Sequence, residues 1–144
     1  MKTAITTAMI TATLVIMGSL AMAQTASQKN AADLVRVFLV ERGLDANVHA
    51  GEVVDYGGGN VVDSRGELFI GYALMDRPLA RSLAYSPALE LLKVAQNGGF
   101  KTVAFADDDG FVWEWDLTKG TWRIGLVCPG STQKSWDGGD SCYQ

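Results

Sequence analysis

Hydrophobic positions recur along this chain with two periods, and the switches between them divide it into elements. Over residues 27–42, Ala31, Leu34, Val35 and Phe38 fall three and four apart, while Lys29, Asp33 and Arg36 form a second stripe, which predicts an amphipathic helix. Gly43 stops that helix and Leu44 can latch it as the apolar residue of a glycine cap. Residues 46–75 then alternate with period two. Val48, Ala50, Glu52, Val54 and Tyr56 oppose His49, Gly51, Val53 and Asp55. Residues 57–60 read as a flexible turn, 61–63 as a short strand, 64–66 as a second turn and 67–75 as a longer strand whose Gly71 suggests a bulge or a close approach. Residues 76–87 form the chief irregular connection, with room for one helical turn and with Arg77 and Arg81 expected in solvent.

The plainest stretch is 86–117. Ser86 is a good N-cap and Pro87 suits the first helical position. Leu89, Leu92 and Ala95, widened by Ala88, Leu91 and Val94, face inward, with Glu90, Lys93 and Asn97 on the wet side. Gly98 or Gly99 ends the helix, and Phe100 folds back on its last turn. Two strands follow, 100–106 and 111–117, joined through the acidic run 107–110. A two-residue turn at Asp109–Gly110 and a four-residue turn give one parity. Ala104 and Ala106 then share a helix-covered face with Trp113 and Trp115, and Lys101, Glu114 and Asp116 mark the wet side. Residues 121–127 supply a last strand. The order of helix, two or three strands, helix, two or three strands predicts an α+β two-layer sandwich, with about five strands in an antiparallel or mixed sheet and two helices on one face.

The first 23 residues change the picture of where this domain works. They hold one lysine, an uncharged run and Ala21-Met22-Ala23, the small-residue signature of a signal-peptidase site, so residues 1–23 read as a secretory leader and 24–144 as one exported domain. The alternative is an uncleaved anchor. Cleavage removes one of the 12 basic residues and none of the 16 acidic ones, leaving a net charge of −5. That balance argues against nucleic acid or anionic lipid as a partner, and against membrane association once the leader is cut. In a periplasmic or secreted protein, Cys128 and Cys142 read as a disulfide closing a short loop, worth about 3 kcal/mol in the chain-entropy description.

Candidate chemistry is sparse. His49 is the single histidine and sits in an alternating run; without a second imidazole or a CxxC pair the sequence offers no conventional zinc site, no other metal set and no cofactor motif. The GGG at 57–59 lacks the spacing of a phosphate loop, and Asp107, Asp108 and Asp109 read as a solvated hairpin tip, since adjacent side chains in an extended chain diverge. No catalytic set is assigned. The disulfide loop either presents Trp136 for recognition or folds it back over the domain. Partner-binding residues are accordingly expected at Trp136, Asp137 and Asp140 in that loop and at Lys101, Glu114 and Asp116 on the sheet. Together these features suggest an exported non-catalytic domain that binds a protein partner, in the manner of an inhibitor or immunity protein. A small hydrolase using carboxylates drawn from Glu52, Asp55, Glu114 and Asp116, with His49 as helper, is the second expectation, and a structural envelope component the third.

Overall fold

In the computed structural model, residues 24–55, 61–85, 89–131 and 133–143 are described. The expected leader, the turn expected at 57–60 and the expected cap at Ser86 and Pro87 lie outside them. The described chain is α+β, with a six-stranded mixed sheet, a separate two-stranded ribbon and three α-helices. About five strands and two helices were expected; the differences arise at three places, each with a local cause.

Helix α1 (Ala26–Glu41) starts at a capping box in which the Thr25 hydroxyl accepts from the Gln28 amide and the Gln28 side chain accepts from the Thr25 amide, both at 3.1 Å. It ends as its glycine predicts, with Gly43 donating to Val40 and Leu44 to Leu39 across 3.0 Å, and Leu44 buried. Its inward stripe is rotated by about one position from the expected one. Ala31, Ala32, Val35, Phe38 and Leu39 are buried, while Leu34 is 51% exposed, because the small alanines present the side that can approach the neighbouring helix.

The long alternating run is the first difference. It breaks at Gly51–Glu52 into β1 (Ala46–Ala50), which pairs antiparallel with β4 (Glu67–Tyr72), and β2 (Val53–Asp55), which pairs with β3 (Val61–Asp63) in the separate ribbon. The β1–β4 ladder is continuous from Ala46↔Tyr72 to Ala50↔Leu68, so Gly71 introduces no bulge. The second difference is a helix in the supposed irregular connection. After a 3₁₀ turn (Leu74–Asp76), α2 (Arg77–Tyr85) carries Pro78 in its first turn, where a missing amide costs no helical bond, and buries Ala80 and Ala84 four residues apart. Its Arg77 is not solvated alone. The guanidinium donates from Nε to Asp107 Oδ2 at 2.5 Å, and the other Asp107 oxygen accepts from the amides of Asp109 and Phe111 at 3.0 Å. The aspartate run is thus a cross-linked turn.

Helix α3 (Leu89–Asn97) stops where Gly99 takes φ +92°, with Phe100 donating to Ala95 at 3.1 Å and burying its ring, so the left-handed position is Gly99. The chain returns as β5 (Thr102–Asp107), parallel to β4, and continues antiparallel through β6 (Phe111–Asp116), β7 (Thr121–Val127) and the short β8 (Lys134–Ser135), in the sheet order β1-β4-β5-β6-β7-β8.

The third difference is the hairpin register. Three residues separate β5 from β6, and Gly110 at φ +82° closes the turn by donating to Asp107 at 2.9 Å. Two-residue and four-residue turns share a parity that a three-residue turn reverses. Phe105 therefore lies opposite Trp113 and Ala106 opposite Val112. The helix-covered face holds Val103, Phe105 and Trp113 with Val48, Leu68 and Ile70, while Ala104 and Ala106 lie on the other face with Val112 and Glu114.

That second face is not wet. Ala104, Ala106, Val112 and Glu114 are all buried, with Phe69, Val127 and Trp136 packed about the alanines and valine. The cover is the segment beyond β7, pinned by the Cys128–Cys142 disulfide with its Cα atoms 5.3 Å apart. It crosses so near β7 that a Cβ on Gly125 would stand 2.3 Å from the Ser135 carbonyl oxygen and 2.5 Å from Trp136 Cε3. Phe105→Ala should lower the unfolding free energy by about 4 kcal/mol, through lost burial and a residual cavity. Gly125→Ala should cost about 2 kcal/mol through the clash with the covering loop. Urea titrations of both variants measure these losses; a neutral Gly125→Ala would contradict the close crossing.

Candidate functional site

A groove of about 790 Å³ opens between the covering loop, the start of α1 and the turn at residues 63–66. Two carboxylates lie on its floor. Glu67 begins β4 and Glu114 stands in the middle of β6, both buried because the strands carrying them are central. The covering loop delivers Lys134 between them, and its Nζ contacts Glu67 Oε2 and lies 2.9 Å from Glu114 Oε2. Arg123 on β7, directly across from Glu114 in the ladder, adds a forked contact from Nε at 3.0 Å and Nη2 at 2.7 Å to the other Glu114 oxygen. Its guanidinium also stacks on the Trp136 ring, 3.6 Å from the centroid. Glu114 is thereby held at both oxygens by cations from two different segments.

Burial lowers the Lys134 ammonium to about 8, and its two carboxylate contacts oppose that loss of charge. It stands between the two buried carboxylates. Around the groove mouth, Lys101 rises beside Gly66, where its side chain packs against the backbone, and Arg65 pairs with Asp63 at 2.5 Å. Gln28 joins the start of α1 to this turn by donating to the Arg65 carbonyl at 3.1 Å. The Arg65 side chain holds the Asp63 carboxyl down at about 2. The lining contains four cations, Arg65, Lys101, Arg123 and Lys134, against the three carboxylates of Asp63, Glu67 and Glu114. Lys101 makes no salt bridge among the described residues, although its charge helps from a distance to lower the Asp63 pKa, so the lining carries one more cation than carboxylate in an acidic protein.

Three of the six residues expected to meet a partner come together here: Lys101, Glu114 and Trp136. Glu114 is buried and ion-paired, against the wet side chain expected, because the reversed hairpin parity and the covering loop enclose it. The other three lie elsewhere. Asp116 binds its own turn, accepting from the Thr118 amide at 3.0 Å and hydroxyl at 2.6 Å and from the Lys119 amide at 3.0 Å. Asp137 accepts from the Ser135 hydroxyl and from the Ser141 amide at 3.2 Å, which braces the loop from inside. Asp140 is exposed at the start of the last 3₁₀ turn (Asp140–Tyr143). Trp136 does fold back, half-buried against Gly125 and Arg123.

His49 lies on the edge strand β1, outside the groove lining, with its ring 5.1 Å from that of Phe69, and burial lowers its pKa while Glu52 opposes that shift. It makes no hydrogen bond or ion pair among the described residues. No group of three or more histidine, cysteine, aspartate or glutamate side chains converges as metal ligands among them, and no described helix is long and apolar enough to cross a membrane.

Sequence reasoning missed Glu67, Arg123 and Lys134. Glu67 and Arg123 fall in alternating runs, but the sheet register decides which face each joins; nothing in the spacing of Lys134 announces that it crosses back over β6. Comparisons of this chain with protein-family models, curated proteins and solved structures return no match.

Lys134→Met should destabilise the domain by about 3–5 kcal/mol, because it strands the buried Glu67 carboxylate and leaves Glu114 with Arg123 alone, whereas Arg123→Ala, at a half-exposed guanidinium, should cost less than about 1 kcal/mol. Equal losses in denaturant titrations would contradict the central place of Lys134. Alongside Asp63 and Asp137, whose pKa values are also lowered, acid should act in part through Asp116, whose pKa is held at about 2, chiefly by the Thr118 hydroxyl. Its folded pKa lies below its unfolded one, so its contribution is complete above about pH 4 and fades as pH falls towards about 2. Asp116→Asn should flatten that acid limb in thermal melts; an unchanged limb excludes this source.

Proposed function

We propose that this chain is an exported, non-catalytic domain that binds a protein partner at the groove beneath its disulfide loop, placing an acidic group of the partner against Lys101. The observation that carries the reading is the surplus cation at the groove mouth, beside the Arg123–Trp136 stack, on a protein whose overall charge is negative. An opposed local charge speeds encounter and selects orientation, while a half-buried tryptophan contributes area at low entropic cost. The remaining lining is pre-paired: Glu67, Glu114, Arg65 and Asp63 already have partners, so binding need not desolvate a bare charge there. An address outside the cytoplasm fits the leader-like first 23 residues and the disulfide, which persists in an oxidising compartment. Inhibition of a partner enzyme or protection against a toxin would use such a groove equally well, since both require a rigid recognition surface and no catalytic group.

Immobilised mature protein should retain a specific protein from envelope or extracellular extract. Lys101→Glu and Trp136→Ala should each weaken that complex by about tenfold or more, and raising salt should weaken it progressively, while Lys29→Glu on the exposed side of α1 should leave it intact. Surface plasmon resonance on the purified pair supplies the constants. A partner indifferent to both groove substitutions would overturn the assignment of this surface.

A further inference from the structure

The disulfide loop reads as a detachable strap over the domain. The larger core, between the helices and one sheet face, draws its buried residues from positions 31–113 and takes nothing from residues beyond Leu117. The strap packs on the opposite face, through Trp136 against the small cluster of Ala104, Ala106 and Val112, through Ser135 and Gly125, and through Lys134 against Glu67 and Glu114, and it passes Leu126 of β7 at Gly139. Its tie to the sheet is short, with only Leu126↔Ser135 and Val127↔Lys134 in the ladder. The covalent closure therefore adds to the ladder and the ion pairs that keep Lys134 beside Glu67, and beside Glu114, which Arg123 also compensates.

We propose that Cys128–Cys142 is a redox latch on the groove: oxidised, it holds the strap down and completes the recognition surface; reduced, it lets the strap lift while the domain stays folded. The inference rests on the proposed binding role only for its consequence, because the strap supplies the groove with Gln133, Lys134 and Trp136. The latch opens by thiol–disulfide exchange with a dithiol. One thiolate of the reductant attacks a sulfur of the bridge, with Cys142 the more exposed of the two residues, forming a mixed disulfide and releasing Cys128 as thiolate. The second reductant thiol then displaces Cys142, so two electrons and two protons pass to the chain as two thiols and the reductant leaves as a disulfide. Once the strap is free, water can reach Glu67 and Glu114, which replaces the lost ammonium by hydration and makes the open state attainable without unfolding the sheet.

Hydrogen exchange on the mature protein, with and without a dithiol and with thiols counted by mass, tests the latch. Amides of residues 134–142 should lose protection by on the order of 100-fold on reduction, the factor that a closure of this length is worth in the chain-entropy description, while those of α1, β4 and β5 stay within about threefold. A Cys128→Ser, Cys142→Ser double variant should reproduce the open state without reductant. Lys134→Met with the bridge intact should raise strap exchange by itself, reporting the electrostatic half of the latch. Unchanged strap protection after full reduction overturns the proposal, and so does equal loss of protection in strap and core. None of these readouts needs the partner, so an opening strap combined with no groove-dependent partner would sink the binding role alone.

Discussion

Two buried carboxylates need a cation, and that need organises one whole side of this protein. Glu67 and Glu114 stand on strands in the interior of the sheet, on the side without helices. A charged side chain buried without a partner costs several kcal/mol, more than most single contacts in a domain return. The compensating charge comes from a segment far along the chain, Lys134, helped at Glu114 by Arg123 from the neighbouring strand. The helical side thus rests on apolar burial, whereas the strap adds electrostatic compensation and covalent closure to the packing of Trp136.

The two faces of the sheet follow from that division. Beneath the helices, large side chains such as Phe105, Ile70 and Trp113 fill the space, and Trp115 reaches the end of α2 by donating to the Ala84 carbonyl at 2.7 Å. On the opposite face Ala104, Ala106 and Gly125 are small, which lets the strap lie close and leaves a groove where it does not reach. The outer strand β1 is shielded differently, since Arg36 of α1 donates to the Val48 carbonyl at 2.7 Å and occupies part of an edge that could otherwise pair with another chain. The groove is therefore the feature that strap, turn and helix leave between them, and its charge is what remains after their internal pairs are satisfied.

Much of this was legible in local patterns. Glycine stops with an apolar latch recur after α1 and α3, and both form, because a left-handed residue followed by a buried side chain depends on neighbours within one turn. The hairpin 102–116 was legible as a hairpin but not in register. A single residue in the turn length exchanges the faces of every side chain on a strand, and the run DDDG is compatible with loops of two, three or four residues. The arginine–aspartate cross-link from Arg77 to Asp107 settles the matter by tying the turn to α2, a contact 30 residues apart that no local pattern encodes.

By itself the sequence determined the elements that depend on periodicity and caps, the α+β class, and the pairing of the two cysteines. Each of those rests on residues close in the chain or on a unique choice of partner. Tertiary structure alone decided which face of β6 carries Glu114, that Glu67 and Lys134 meet it, and that Trp136 packs over Gly125 beside Arg123. The physical reason is that charge compensation acts through space between strands whose order, β4-β5-β6-β7-β8, brings residues 67, 114, 123 and 134 to one floor. No interval along the chain records that proximity.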